Sequence, residues 1–186
     1  MQPAIQMPCT YLAGLIADES KMIMQNLPAW VKQAASVNII EYTVPWIAAE
    51  SRFSYELALK WIDAKQATVA AAGWFTLASL VAINPDDALD IPALKKLMSR
   101  VQNEIHKAEE RVRHNMNGFV IAAGCYVTAL TAYAISIADK TKTRTDGQPY
   151  KIADATDYII KSTGYGKLRK KEKNGKVLKS YRVKQT

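Results

Sequence analysis

A nearly uncharged stretch in the middle of the chain constrains the fold most. Residues 65–82 read KQATVAAAGWFTLASLVA, with one charged side chain and with Ala, Gly, Ser or Thr at about half of the positions. Apolar residues such as Val69, Gly73 and Leu77 recur at helical spacing, and the predicted helix has no polar face. Its small residues allow close approach of neighbouring helices. Because a membrane span needs about 20 apolar residues, we predict a central core helix and no membrane contact.

The flanking segments carry the signals of further helices. Ser54 and Asp90 precede amphipathic segments, so both are predicted to cap helices, the second of which extends to residue 107. Pro45 is predicted to kink or restart the helix around it, and Gly124 to separate two helices. No alternating run of β-branched residues predicts a strand. We therefore predict an all-α protein of antiparallel helix pairs, for which a HEAT-like α-solenoid and an irregular bundle both remain open.

The net charge of +8 is distributed unevenly along the chain. Residues 161–186 contain ten Lys or Arg and one acid, a net charge of +9, whereas residues 1–160 contain fifteen bases and sixteen acids, a net charge of −1. We therefore predict a helical domain over residues 1–160 and a basic C-terminal tail over residues 161–186. Such a tail either binds a polyanion or is simply solvated.

The sequence lacks the motifs of several common enzyme classes. GxGxxG, P-loop, HExxH and GxSxG patterns are all absent, which gives no support for dinucleotide, nucleotide, zinc-protease or serine-hydrolase chemistry. Cys9 and Cys125 stand alone, and His106 and His114 do not pair as ligands, so we predict no metal and no cofactor. Isolated thiols and a poor signal-peptide pattern favour the cytoplasm. We also expect a monomer.

Three segments together carry a resemblance to a known family. They read EYTVPWIAAES (41–51), WIDAKQATVAAAGW (61–74) and IHKAEERVRHNMNGFVIAAG (105–124). In order and spacing they resemble a bacterial branch of the HEAT-like DNA alkylation repair proteins, the AlkD type of alkylpurine DNA glycosylase, over roughly residues 11–160. The resemblance implies a curved stack of helix pairs that holds duplex DNA, mainly through its phosphates. It also implies that active members excise positively charged alkylated bases without a deep base-flipping pocket.

The family's catalytic pattern is not matched. Active members use two tryptophans and an aspartate beside the lesion, with arginines at the phosphates. The corresponding positions hold Ala34, Asn38 and Phe119, and Ala71 lies near the expected arginine. Asn cannot supply the negative charge that stabilises an oxocarbenium-like centre. Two hypotheses follow from the resemblance: this branch excises bases with other residues, or it binds DNA without excising bases.

Glu50 and Glu41 are the candidate catalytic carboxylates. Nine residues place them about 180° apart on a regular helix, and a kink at Pro45 would change that angle. The competing interpretation of each is a solvated or capping carboxylate. Trp46 and Phe119 are the candidate aromatic residues near a lesion, although the apolar stripe around Trp46 favours a core position for its ring.

The candidate DNA-binding residues are basic residues at predicted helix ends or in the tail. They are Lys65, Arg111, Arg113, His114, Lys167, Arg169, Lys170 and Lys171. Salt bridges to the preceding acids are the competing interpretation for Arg111 and Arg113. The resemblance therefore implies a DNA-binding protein of the alkylation repair family, with base excision left open. The alternative is a non-catalytic α-solenoid scaffold that binds a protein or a structured nucleic acid.

Overall fold

The computed structural model describes residues 21, 24–33, 39–142 and 152–164. Within these ranges the chain forms helices and turns and no strand, which confirms the all-α prediction. The α-helices of the described residues are α1 Asn26–Gln33, α2 Val44–Glu50, α3 Ser54–Ile62, α4 Ala67–Ile83, α5 Ile91–Glu104, α6 Glu110–Tyr126, α7 Thr131–Lys140 and α8 Ala155–Gly164.

The chain divides into two compact units. The first comprises Met1–Leu80 and Glu109–Met116, and the second comprises Val81–Ala108 and Asn117–Thr186. Helices α4 and α6 therefore each contribute residues to both units. The predicted division into a domain over 1–160 and a tail over 161–186 stays a prediction, because residues 165–186 lie outside the described part of the chain.

Helix α4 is the central core helix that its composition predicts. It begins two residues later than residue 65 and ends at Ile83. Trp74 and Leu77 are fully buried, and Thr76 is buried with its hydroxyl donating to the Ala72 carbonyl at 2.8 Å. Because the buried Thr76 hydroxyl has this hydrogen-bond partner within its own helix, its burial does not leave a polar group unsatisfied.

A hydrophobic cluster lies in the first unit, where α2 packs against α1 and α3. Its buried members are Leu27, Val31, Ile39, Val44, Ile47, Ala48, Leu57, Trp61 and Ala72. Helix α3 approaches α4 closely at Gly73, where a Cβ would lie 2.6 Å from the Ile62 backbone nitrogen. The predicted close contact at this small residue is therefore present, and only glycine fits there without a shift of backbone atoms.

A turn of π-helix, Ile39–Thr43, precedes α2 and accommodates Pro45 in the first turn of α2. Proline has no N–H to donate to the preceding turn, so a change of helical register at this point costs no hydrogen bond. Thr43 keeps helical backbone angles, with φ −69° and ψ −50°. The chain stays helical over residues 39–50 but changes from π-helix to α-helix between Thr43 and Val44. The new α-helix has Pro45 in its first turn, which confirms the predicted restart.

The two predicted caps have different outcomes. Asp90 caps α5, since its Oδ1 accepts a hydrogen bond from the Ala93 backbone N–H at 3.0 Å. Ser54 does not cap α3, because it is the first helical residue and Phe53 occupies the cap position without a side-chain bond. Helix α5 also ends at Glu104, earlier than residue 107, because a 3-10 turn covers Ile105–Lys107.

The prediction that Gly124 separates two helices is wrong. Helix α6 runs through Gly124 to Tyr126, and the chain leaves the helix at Val127 before a 3-10 turn and α7. Gly124 serves packing instead: a Cβ there would lie 2.7 Å from Ile159 Cδ1 and 2.9 Å from Ala134 Cβ. The glycine thus permits α7 and α8 to pack closely on this part of α6.

None of the described helices is by itself long and apolar enough to cross a membrane. The segments Glu110–Tyr126 and Thr128–Lys140 meet the length and composition criteria only when taken together, and they join at a bend of 118°.

Candidate functional site

Trp46 and Glu50 lie one helical turn apart on α2 and are joined by a short hydrogen bond. The Trp46 indole Nε1 donates to Glu50 Oε1 at 2.6 Å. Glu50 is only 5% exposed, whereas Trp46 is 37% exposed. A buried carboxyl group needs hydrogen-bond partners, and the bond it accepts here fixes the indole ring above it. A nearly buried acid therefore orients an exposed aromatic ring.

Trp46 is exposed, contrary to the core position that its apolar stripe predicted. Trp61 and Trp74 are buried as expected. The difference arises because Val44 and Ile47 supply the buried face of α2, while Trp46 lies between them in sequence and so on another face of the helix. A single exposed aromatic ring is ordinary on a protein surface, so the feature that sets Trp46 apart is its hydrogen bond to a buried carboxyl group.

Tyr42 adds a second exposed aromatic ring one turn before Trp46. It is 47% exposed, and its ring meets the Phe75 ring edge to face, with centroids 5.2 Å apart and planes at 79°. This contact with α4 restricts the position of the Tyr42 side chain. Tyr42 was not predicted from the sequence, although the spacing of four between Tyr42, Trp46 and Glu50 is the available signal. We refer to these three residues as the aromatic site.

A positive charge follows the aromatic site directly. The chain turns at Ser51, whose hydroxyl donates to the Ala48 carbonyl at 2.8 Å. Arg52 comes next, is exposed, and holds its guanidinium 4.7 Å from the centroid of the Phe53 ring. A guanidinium stacked in this way keeps its charge at the surface while its direction is restricted. Arg52 was not among the residues singled out in the sequence.

The first unit also contains the predicted basic residues of the described chain. Lys65, Arg111 and His114 are exposed, whereas Arg113 is partly buried. Helix α6 begins at Glu110, so Arg111 lies in its first turn, as the sequence predicted. The tail candidates Lys167, Arg169, Lys170 and Lys171 lie outside the described residues. The role of all these bases in DNA binding stays a prediction.

Two other predicted site residues, Phe119 and Glu41, have different outcomes. Phe119 belongs to the second unit and is fully buried, so its ring cannot stack on a base in this conformation. Of Glu41, only the backbone is described, within the π turn. The positions of Ala34 and Asn38 lie outside the described residues. Glu50 is therefore the predicted carboxylate whose surroundings are described.

Cys125 lacks the properties of a reactive thiol. It is buried, and burial raises the pKa of its thiol above the ordinary value, with a hydrogen bond to Ser162 acting in the opposite direction. A raised pKa disfavours the nucleophilic thiolate. Among the described residues, no group of three or more His, Cys, Asp or Glu is arranged to hold a metal ion.

Comparison with known sequences finds similarity to proteins that are named as uncharacterised. No family model matches it. An uncharacterised protein of Listeria innocua is 24% identical and one of Listeria monocytogenes is 22% identical, each over 156 residues that make up 82% of this chain. The chain spans 66% of the length of each of these relatives.

A solved structure identifies the fold. With a TM-score of 0.81 and 25% identity, it covers 92% of this chain, which in turn covers 74% of it. That protein represents a new family related to the HEAT-like repeat DNA glycosylases, with affinity for branched DNA structures. The chain therefore has the HEAT-like repeat fold, which confirms the predicted fold class and excludes the irregular bundle.

Proposed function

We propose that this protein binds DNA and prefers branched structures to a plain duplex. The observation that carries the proposal is the similarity, at a TM-score of 0.81 over 92% of the chain, to a protein whose family has affinity for branched DNA. The two chains also share 25% of their residues, so the similarity includes side chains as well as the fold. The predicted partner, DNA, follows from the same comparison, and branched DNA replaces plain duplex as the preferred form.

Phosphate contacts supply most of the binding energy in this proposal. Arg52, Lys65 and Arg111 are exposed cations of the first unit. Arg111 also lies in the first turn of α6, where the backbone N–H groups and the helix dipole favour an anion. Such contacts attract any nucleic acid and position it, but they carry little information about base sequence. A feature of the surface that responds to accessible bases would add a preference for branches to these contacts.

The direct test compares the affinity of the full chain for three labelled DNAs of equal nucleotide number. A four-way junction, a flap and a perfect duplex are titrated at the same salt concentration, because salt changes phosphate binding strongly. We expect the lowest Kd for the junction or the flap. Equal Kd values for all three would remove the preference for branches, and no binding at low salt would overturn DNA binding and favour the scaffold alternative.

The basic tail provides a second source of phosphate contacts. Replacing Lys167, Arg169, Lys170 and Lys171 by Gln removes four positive charges from it. If all four meet phosphates, the slope of log K against log salt should fall by about 0.9 × 4, or 3–4 units. The preference for branched DNA should survive, because in this proposal it depends on the first unit and not on the tail. An unchanged slope would support the solvated tail.

The matched control for the tail removes four exposed lysines from the second unit. These residues are Lys95, Lys96, Lys107 and Lys140. Both variants change the net charge by the same amount, so an equal fall in slope would show that overall charge, and not the tail, sets the salt dependence. A larger fall for the tail variant would assign the contacts to residues 167–171.

Base excision is the second candidate function, and Glu50 is the feature that favours it. A carboxylate near the sugar can stabilise the positive charge that develops when an alkylated purine leaves. However, Glu50 Oε1 already accepts the Trp46 indole N–H, and the family's aspartate position holds Asn38. We therefore expect release of 3-methyladenine and 7-methylguanine from methylated duplex DNA to be absent or much slower than in active glycosylases.

Two substitutions decide which carboxylate acts if base release is detected. Glu50→Gln and Glu41→Gln each remove a negative charge while keeping side-chain size. Loss of release in one of them, with DNA binding retained, would assign the catalytic carboxylate. Release that survives both substitutions would exclude Glu50 and Glu41.

A further inference from the structure

We propose that the aromatic site stacks on a single-stranded base at the branch point of a DNA. In this inference Trp46 is the stacking platform, and Glu50 is a positioning residue that holds the indole ring. The inference rests on the proposed DNA binding and names the chemical group that the site recognises. It also explains how a surface of phosphate contacts could acquire a preference for branched DNA.

The chemistry of the exposed part of Trp46 selects its ligand. The indole N–H is the only polar group of the side chain, and Glu50 already accepts it at 2.6 Å. The remaining atoms of this side chain, which is 37% exposed, are the carbon atoms of an apolar π system. Planar π systems stack on such a surface, and nucleobases do so regardless of sequence.

The surroundings of the ring favour binding because they hold it in place before the ligand arrives. Glu50 is 5% exposed, so the oxygen that accepts the indole N–H belongs to a side chain packed inside the first unit. Tyr42, one turn away, is restrained by its edge-to-face contact with Phe75. Rings that are already ordered lose little conformational entropy when a base stacks on them.

Stacking of this kind distinguishes branched from plain DNA. In a perfect duplex both faces of every internal base are covered by its neighbours, whereas a branch point or flap leaves some base faces open. Arg52, two residues after Glu50, supplies an exposed cation for the adjoining phosphates. The aromatic site therefore adds affinity only where a base is accessible, and the phosphate contacts add affinity everywhere.

The test uses the full chain and three DNAs of the same length. The first is a three-way junction with two single-stranded nucleotides at the branch, the second is the same junction with abasic sites in their place, and the third is a duplex. Trp46→Ala should weaken binding of the first DNA by roughly 5- to 150-fold, the range expected for loss of one base–aromatic stack. Binding of the abasic junction and of the duplex should change less than twofold.

Tyr158→Ala is the matched control, because Tyr158 is an exposed aromatic residue of the second unit. It should leave all three affinities unchanged. If Trp46→Ala keeps the wild-type preference for the first DNA, the inference is overturned while DNA binding stands. If the wild-type chain binds none of the three DNAs, the proposed function itself has failed.

The role of Glu50 is tested by measuring the preference for the first DNA over the other two. A residue that only stabilises the fold would not change this preference. Glu50→Gln keeps an oxygen that can accept the indole N–H, so it should keep the preference for the first DNA. Glu50→Ala removes the acceptor and should reduce that preference severalfold. In a Trp46→Phe background the ring has no N–H, so Glu50→Ala should have no further effect.

Circular dichroism of each variant establishes whether it folds. Should Glu50→Ala fail to fold, Trp46→Phe and Glu50→Gln still decide the point, since the first should lower the preference and the second should not. An equal loss of affinity for all three DNAs in a folded Glu50→Ala variant would overturn the positioning role. The same conclusion would follow if its effect persisted in the Trp46→Phe background.

Discussion

Helices α4 and α6 each bury a glycine, but the two glycines pack against different kinds of atom. A Cβ at Gly73 would lie 2.6 Å from the Ile62 backbone nitrogen and 3.0 Å from the Ala58 carbonyl oxygen. At Gly124 the nearest atoms belong to side chains, the end of Ile159 at 2.7 Å and the less movable Ala134 Cβ at 2.9 Å. Helix backbone cannot move without loss of its hydrogen bonds, whereas a terminal methyl group can rotate. The same residue type therefore tolerates substitution differently in the two units.

A second contrast separates the units and concerns their aromatic residues. Both units expose aromatic rings, Tyr42 and Trp46 in the first and Tyr158 in the second, and the second unit buries Phe119 completely. In the first unit a buried carboxyl group, that of Glu50, accepts the indole N–H of Trp46 and holds its ring. Burial of Phe119 is what hydrophobic packing dictates. Burial of the polar Glu50 beside Trp46 departs from it, and departures of this kind concentrate at functional sites. The contrast is the reason to place base recognition in the first unit.

The largest expected stability change comes from Gly73→Leu. Since even a Cβ would meet backbone atoms there, the larger side chain should destabilise the protein by about 3 kcal/mol. Thermal or urea unfolding measures the change. Gly118→Ala is the matched control on α6, because a Cβ at Gly118 meets no atom within 4 Å. It should stabilise the helix by roughly 0.5–1 kcal/mol. A Gly73→Leu variant with the wild-type melting temperature would contradict the contact.

Gly124→Ala should have a smaller effect, about 1–2 kcal/mol of destabilisation, since Ile159 can give way in part. Ile159→Val removes the Cδ1 atom that the new methyl group would meet. Alone it should cost about 0.5–1.5 kcal/mol. The double variant should be more stable than the sum of the two single changes predicts. Strict additivity would show that Ile159 does not limit the space at Gly124.

The smallest expected effects compare helix starts in the two units. Asp90→Ala removes the side-chain oxygen that accepts the Ala93 N–H and should cost about 1 kcal/mol. Ser54→Ala should cost close to nothing, because Ser54 lies inside α3 and not at its cap. Urea unfolding of the pair measures the difference. Equal destabilisation by both substitutions would restore Ser54 as a cap and remove this contrast.

Local features of the fold were predictable because they depend on neighbours in sequence. The helix over 65–82 is α4, Ala67–Ile83, and its apolar periodicity alone indicated burial. The Asp90 cap depends on a bond to a residue three positions away, and the restart at Pro45 depends on the missing N–H of proline. Ser54 was misassigned because the turn at Ser51 places the helix start one residue earlier than capping by Ser54 requires.

The sequence by itself determined an all-α chain with a central small-residue helix, and it placed Trp46 and Glu50 one helical turn apart. Only the tertiary structure decided that Glu50 is buried while Trp46 is exposed. It also decided that the Tyr42 ring contacts the Phe75 ring and that Gly124 packs against Ile159. Helix formation and capping follow from bonds within a few residues. The burial of a polar residue such as Glu50 and the exposure of an aromatic one such as Trp46 depend on which distant segments cover them, and the local pattern around these two residues does not contain that information.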